Sequence, residues 1–236
     1  QNRRLTKAIM TNPPAQLSRS RFLGARKMGA RFIRKLGPWG MFIRGFVKHP
    51  VMVGSIVPSS PALIRRMLGR VDWDRTKLFV EYGPGVGTFC RPVLDQLAGD
   101  AKLIAIDTNE DFITYLNDEI RDSRFVAVHG SAADVEAIIA AHGFDKADYI
   151  LSGLPFSTLP EGVGPASAAA THRALRPGGA FLVYQFRAKA RDFLAGHFRR
   201  IDKDFAWWNL PPCFLFWGWK DEDSASLGSS LNPKFS

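Results

Sequence analysis

The sequence predicts an α/β fold, a seven-stranded and mostly parallel sheet covered by helices on both faces, with its last strand antiparallel. Three features predict it. From about residue 77 onward, strand-like and helix-like segments alternate along the chain. Several of the strand-like segments are short and continuously apolar, namely Leu78-Phe79-Val80, Leu103-Ile104-Ala105-Ile106 and Phe181-Leu182-Val183. Strands buried on both faces have this composition. The first of them runs into a glycine-rich turn, Gly83-Pro84-Gly85-Val86-Gly87, of the kind that leads a buried strand into a helix.

In chain order, residues 1–17 are polar and contain Pro13-Pro14, and are expected to be a flexible segment. Residues 18–50 form a basic, amphipathic helical segment. Within it, 18–36 places Phe22, Ala25, Phe32, Ile33 and Leu36 near one helical face, with Arg19, Arg26, Lys27, Arg34 and Lys35 over the rest. After the Gly37-Pro38 break, Trp39, Met41, Phe42, Ile43, Phe46 and Val47 make a shorter apolar element that ends before Pro50. The α/β domain is expected over 51–220. Its first helix begins at Ser59-Ser60-Pro61, a serine cap with proline in the first turn, and runs through Leu63, Ile64 and Met67 to Gly69.

Strands follow at 77–82, 102–107, 124–129, 149–152, 180–186, 198–206 and 213–219. Helices fall between the earlier ones, including 109–117 and 135–141. The last two strands are joined through Asn209-Leu210-Pro211-Pro212, a connection short enough for an antiparallel pair. Residues 221–236, rich in Ser, Gly and Asn, are expected to be a flexible tail.

Charge is distributed unevenly. The net charge is +10, yet residues 1–71 hold fifteen Lys or Arg and no acid, the first being Asp72, while the rest carries seventeen bases against twenty-two acids. A basic segment joined to a mildly acidic body points to a polyanionic partner, either nucleic acid or the phosphates of a bilayer. Lys or Arg interrupts every hydrophobic run near the N-terminus, so none approaches the roughly 20 apolar residues of a membrane span. Any membrane contact is therefore expected to be peripheral, and no secretory signal is expected. Cys90 and Cys213 lack the spacing of a zinc or redox motif and read as reduced core thiols of a cytoplasmic protein, with no metal.

The chemistry concentrates at the glycine turn. Its spacing is G-x-G-x-G, and Thr88 stands where a dinucleotide fingerprint would have its third glycine, which disfavours NAD or FAD. Asp107 closes the next strand twenty residues after Gly87. An acid there can accept hydrogen bonds from both hydroxyls of a ribose, so the pair of features favours an adenosine-containing ligand. The competing role for Asp107 is a solvated helix cap.

Glu81 with Gly83, Gly85 and Gly87 resembles the first motif of the class I S-adenosylmethionine-dependent methyltransferases, a Rossmann-like family, and Asp107 resembles their ribose-binding acid. The resemblance implies S-adenosylmethionine as cofactor, with Glu81 near its methionine portion. It implies an adenine-contacting loop at Gly130-Ser131-Ala132-Ala133-Asp134, hence Ala133 and Asp134; Ser131 or Asp134 capping the following helix is an equally open reading. Asp148-Tyr149-Ile150-Leu151-Ser152-Gly153-Leu154-Pro155-Phe156 occupies the fourth strand and its exit. It differs from the N-L-P-Y type of motif of adenine amine methyltransferases in having Ser152-Gly153 before Leu154-Pro155. Ser-Gly-Leu-Pro is instead similar to the bacterial phospholipid N-methyltransferases, which act on phosphatidylethanolamine. Gly54-Ser55-Ile56-Val57-Pro58-Ser59-Ser60, Arg176-Pro177-Gly178-Gly179 and Trp208-Asn209-Leu210-Pro211-Pro212 extend that likeness.

The narrower resemblance implies cofactor contacts from Pro58, Ser59, Ser60, Ser152, Gly153 and Leu154. Tyr184, at the end of the fifth strand, is the candidate to position the amine, and Arg187 or Lys189 to hold the lipid phosphate. An edge tyrosine and solvated charges are the plainer readings of the same residues. The expected partner is an anionic membrane surface carrying the phospholipid substrate, reached from the cytoplasm at the inner face of the cell membrane. Methylation of an ornithine lipid, an adenine-type RNA N-methyltransferase and a non-catalytic membrane-binding adaptor are the alternatives.

Overall fold

Helix α1 (Pro61–Leu68) begins where the chain supplies both a cap and a stiff first turn. The Ser60 hydroxyl accepts the Leu63 N–H at 3.2 Å, and proline, which has no N–H to satisfy, occupies the first helical position. The computed structural model describes residues 59–154, 162–186, 190–207, 209 and 212–222, all within the unit Phe42–Ser236. The expected N-terminal helices, the flexible segment 1–17 and almost all of the expected tail lie outside the described residues.

After α1 the chain alternates as its pattern predicts. β1 (Leu78–Tyr82) leads through the glycine turn to α2 (Cys90–Leu94), and β2 (Lys102–Asp107) to α3 (Glu110–Glu119). β3 (Phe125–His129) is followed by a 3-10 turn, Ala132–Asp134, and α4 (Val135–Ala141). β4 (Ala147–Ser152), α5 (Val163–Ala174), β5 (Leu175–Gln185), α6 (Ala190–Ala195), β6 (Arg200–Ala206) and β7 (Cys213–Trp219) complete it. The sheet order is β3-β2-β1-β4-β5-β7-β6. The pairs among β1 to β5 are parallel, and β7 runs antiparallel to both β5 and β6. This is the predicted sheet.

Both faces of the sheet are buried, which is why its central strands read as unbroken apolar runs. On one face Phe79, Leu103, Leu151, Leu182 and Trp217 pack with Leu63, Met67 and Leu68 of α1 and with Phe89 and Val93. On the other, Val80, Tyr82, Ile104, Ile150 and Phe181 pack with Val135 and Ile139 of α4 and Ala170 and Ala174 of α5. The Trp217 indole donates to the Met67 carbonyl at 3.1 Å, tying α1 to β7.

Several boundaries differ from expectation, three of them for a local reason. The helix after the glycine turn begins only at Cys90 and has five residues; Pro92 lacks an N–H, so it fits a first turn and not a helix interior. β5 begins at Leu175 and not at 180, because Arg176-Pro177-Gly178-Gly179 stays in the strand as an irregular stretch, the register passing from Ala147↔Leu175 to Tyr149↔Ala180. β6 begins at Arg200 and not at 198. Phe198 instead turns into the core, where a β-carbon on Gly218 would lie 2.9 Å from its ring.

The charge pattern also divides differently in three dimensions. Arg66 and Arg70, counted above with the basic N-terminal segment, pair with Asp204 and Asp202 of β6, and Arg70 lies 4.3 Å above the Trp217 ring. They hold α1 to the sheet edge and do not add to a free basic surface. Among the described residues no helix is long and apolar enough to cross a membrane.

Asp148, buried near the start of β4, accepts the N–H groups of Lys77 and Leu78 at 2.8 Å each and the Arg176 guanidinium. One carboxylate thus fastens the entries of β1 and β5 to β4. Asp148→Ala leaves two backbone donors and an arginine without their acceptor, and is expected to lower unfolding free energy by about 3 kcal/mol, read as a lower urea midpoint.

Candidate active site

The sheet order places a crevice where the chain reverses direction. β2 and β3 lie on one side of β1 and β4 and β5 on the other, so the connections leaving β1 and β4 part at their carboxyl ends. In open α/β sheets ligands bind at such a switch point. Both segments with distinctive sequence, the glycine turn after β1 and Ser152-Gly153-Leu154 after β4, fall there.

The turn needs its glycines. Gly83, Gly85 and Gly87 have φ of 62°, 55° and 78°, a region that costs residues with a β-carbon. Space forbids side chains as well: a β-carbon on Gly83 would stand 2.9 Å from Leu154 Cδ2, and one on Gly87 2.7 Å from Leu116 Cδ2. Gly153 is constrained by space alone. A β-carbon there would lie 2.6 Å from the Tyr184 hydroxyl and 3.1 Å from the Gly83 carbonyl oxygen. The exits of β1 and β4 and the end of β5 therefore meet around two glycines.

Glu81 is only 2% exposed, on the strand that enters the turn. Its carboxylate accepts the Cys90 thiol at 3.2 Å. Burial pushes the Glu81 carboxyl up to about 7; the thiol hydrogen bond opposes the shift and the nearby Asp107 charge adds to it. Burial raises the Cys90 thiol well above its ordinary range, and the Glu81 charge reinforces this. Tyr184 is also pushed upward, first by burial and then by Glu81, against a hydrogen bond with Ser59. Its ring packs on Phe89 with centroids 5.2 Å apart. The structure thus gathers Ser59, Glu81, Cys90, Gly153 and Tyr184 into one neighbourhood.

Asp107 ends β2 on the same edge, part-buried, and accepts the Asn109 N–H at 2.8 Å. Burial raises its carboxyl, and the backbone donors of Asn109, Gly85 and Thr108 oppose that rise. The cap of α3 is Asn109, whose side chain accepts the Asp111 N–H at 3.0 Å. Asp107 therefore has no helix to cap and stands at the mouth of the crevice. The loop after β3 resolves similarly. Ser131 accepts the Ala133 N–H at 3.2 Å, whereas Asp134 makes no capping bond and is exposed with Ala133.

Ser152 is buried, its hydroxyl accepting the Leu154 N–H at 3.2 Å. The Gln185 side-chain amide donates to the Leu154 carbonyl, fixing the β4 exit from β5. Pro58, Arg187 and Lys189 lie outside the described residues. Among the described residues no group of three or more His, Cys, Asp or Glu could hold a metal ion.

Sequence spacing missed one contact. Asn209, buried between β6 and β7, accepts the Ser60 N–H on its side-chain oxygen at 3.0 Å. It joins two of the stretches that carried the resemblance, 149 positions apart. Each stretch was visible in the sequence, but their contact was not.

The cradle suits S-adenosylmethionine. Side-chain-free backbone at Gly83, Gly85 and Gly87 admits close approach, Asp107 offers a carboxylate to a ribose, and Glu81 offers a buried carboxylate to a cation. Residues 79–179 match the family described as a methyltransferase domain. The chain is 27% identical over 174 residues to an ornithine lipid N-methyltransferase of Singulisphaera acidiphila, a match that covers 73% of this chain and 91% of that protein. In fold it resembles a precorrin-6y C5,15-methyltransferase from Geobacter metallireducens, with TM-score 0.53 and 13% identity, over 68% of this chain and 88% of the other. It likewise resembles the N-methyltransferase NodS of Bradyrhizobium japonicum bound to S-adenosyl-L-homocysteine, with TM-score 0.50 and 14% identity, over 68% and 85%. Strand order, glycine turn and these likenesses agree on a Rossmann-like, S-adenosylmethionine-dependent methyltransferase domain.

Proposed function

We propose that this enzyme methylates the amine of a membrane lipid head group, phosphatidylethanolamine or an ornithine-type lipid. One observation carries the reading: the likeness to a protein named ornithine lipid N-methyltransferase extends over 91% of that protein's length. The Ser152-Gly153-Leu154-Pro155 exit of β4, similar to phospholipid N-methyltransferases, supports it.

Bound S-adenosylmethionine supplies an electrophilic methyl group on a sulfonium. The chain's own residues have to hold and orient. Asp107 accepts the ribose hydroxyls, Glu81 faces the ammonium of the methionine portion, and the loop of Ala133 and Asp134 borders the adenine. Ser59 and Ser60 border the crevice from the α1 side, and Pro58 is a further candidate contact for the cofactor. Ser152, Gly153 and Leu154 form its wall toward the acceptor. Tyr184 presents its hydroxyl beside Gly153, where it can orient an incoming amine, and Arg187 or Lys189 hold the lipid phosphate. Alignment of this kind supplies several kcal/mol of a methyl-transfer barrier. The basic segment 18–50 keeps the enzyme on an anionic leaflet at the cytoplasmic face, each Lys or Arg contributing about 1 kcal/mol near the surface.

The acceptor is tested by incubating the protein with labelled S-adenosylmethionine and liposomes containing phosphatidylethanolamine or ornithine lipid, with RNA in parallel. Label in methylated lipid is expected. Label in RNA alone would replace this reading with base methylation, and cofactor binding without turnover on any acceptor would favour an adaptor. Tyr184→Phe is expected to lower kcat on the lipid by roughly tenfold, the loss of one hydroxyl contact, with affinity for S-adenosylhomocysteine unchanged.

Glu81 predicts a pH dependence. Its pKa stands at about 7 in the folded protein against 4.5 ordinarily, so between those values the folded chain keeps a proton that the unfolded chain has lost. Stability therefore falls as pH rises across that window, and the full cost, about 3 kcal/mol, is present above it. Glu81→Gln removes the cost. Its Tm relative to the parent is expected to rise from about pH 5 to about pH 8, while its affinity for S-adenosylhomocysteine falls at the higher pH; an equal Tm difference at both would refute the assignment.

A further inference from the structure

We propose that Asn209 is a positioning residue for methyl transfer: it fixes the Ser59-Ser60 segment over the crevice and, through Ser59, the Tyr184 hydroxyl. The inference rests on the reading of Ser59, Ser60 and Tyr184 given under the proposed function.

Topology brings Asn209 to the site. β6 belongs to the parallel set in direction, because β7 is antiparallel to both it and β5. The connection from Ala206 to Cys213 therefore lies on the same edge of the sheet as the exits of β1 and β4. β7 is registered directly on β5, with Leu215 opposite Tyr184. The loop carrying Asn209 thus sits beside the strand that carries Tyr184.

The contacts then run in sequence. Asn209 is 5% exposed, and its side-chain oxygen accepts the Ser60 N–H at 3.0 Å. The remaining polar groups of Ser60 serve the helix: its hydroxyl accepts the Leu63 N–H and its carbonyl the Ile64 N–H. The Ser60 N–H precedes the helix and has no helical acceptor, so the amide oxygen of Asn209 fills that vacancy. Ser59, the preceding residue, is buried and near enough to Tyr184 to act on its ionisation, and the Tyr184 hydroxyl fills the space left by the absent side chain of Gly153. Five residues from four separate parts of the chain thus meet in one neighbourhood. A side chain that only filled core volume would not require an acceptor at this point.

The test uses the full chain with Asn209→Ala and Asn209→Asp, the latter keeping the acceptor oxygen. Three quantities are measured at a temperature where every variant is folded: thermal midpoint, affinity for S-adenosylhomocysteine by calorimetry, and kcat and KM with amine-lipid liposomes. Asn209→Ala is expected to weaken S-adenosylhomocysteine on the order of tenfold and to lower kcat by a similar factor. Asn209→Asp is expected to recover most of both. A lower midpoint with unchanged affinity and kcat would reduce Asn209 to a structural residue and overturn the proposal. Should Asn209→Ala not fold, Asn209→Ser, too short to reach the Ser60 N–H, carries the same expectation. If no variant, nor the parent, methylates lipid while the affinities follow this order, the acceptor assignment fails and the positioning role stands.

Discussion

The missing β-carbon of Gly153 is the constraint on which the site depends. Three separate pieces of chain converge on the space a side chain would occupy: the carbonyl of Gly83 after β1, the β4 exit itself, and the Tyr184 hydroxyl from β5. Because β1, β4 and β5 are adjacent and parallel, their carboxyl ends lie side by side. The usual separation of strands would leave side chains between them. With glycine at both Gly83 and Gly153, backbone meets backbone, and a phenol hydroxyl reaches the crevice wall. Any side chain at Gly153 would displace either the cofactor turn or the candidate amine-positioning residue.

Around that point the protein places charge where water is scarce. Glu81 is buried on the strand entering the turn, with the Cys90 thiol as a hydrogen-bond donor, and the Asp107 charge raises its pKa further. A buried carboxylate without a cation is a destabilising feature in the ligand-free fold. It would become favourable on arrival of a positive ligand group, the role proposed for Glu81 toward the ammonium of the cofactor. Sites that trade stability for ligand affinity in this way commonly contain groups with displaced pKa values. Asp148, at the opposite end of β4, shows the contrasting use of a buried carboxylate: it is satisfied by two backbone donors and an arginine, and holds the sheet together.

The edge of the sheet links structure to the proposed lipid chemistry. Inserting β7 antiparallel between β5 and β6 sends the β6–β7 loop to the catalytic edge. Salt bridges from Arg66 and Arg70 to Asp204 and Asp202 then anchor α1 to β6, while Asn209 anchors the residue preceding α1 from the loop. α1 and the segment before it are thus held both by β6 and by the loop that follows it. Two basic residues that composition alone would assign to a polyanion-binding surface have a structural task.

Much of this was legible in the sequence, for definable reasons. Short apolar runs specify strands buried on both faces, and Gly83, Gly85 and Gly87 specify a turn that needs positive φ, because both depend on local chemistry and periodicity. The serine cap at Ser60, the acid closing β2 and the antiparallel last strand were likewise open to reading from neighbours a few residues apart. Only tertiary structure decided that Asn109 and not Asp107 caps α3, that the Arg176-Pro177-Gly178-Gly179 stretch remains in β5, and that Arg66 and Arg70 are paired. It alone brought Asn209 to Ser60 and Tyr184 to Gly153. Those contacts join residues far apart in the chain and depend on strand order and on the width of single gaps. Sequence determined which elements form and where the glycine turn falls, because both follow from local chemistry; the packing of strand ends decided which side chains meet there.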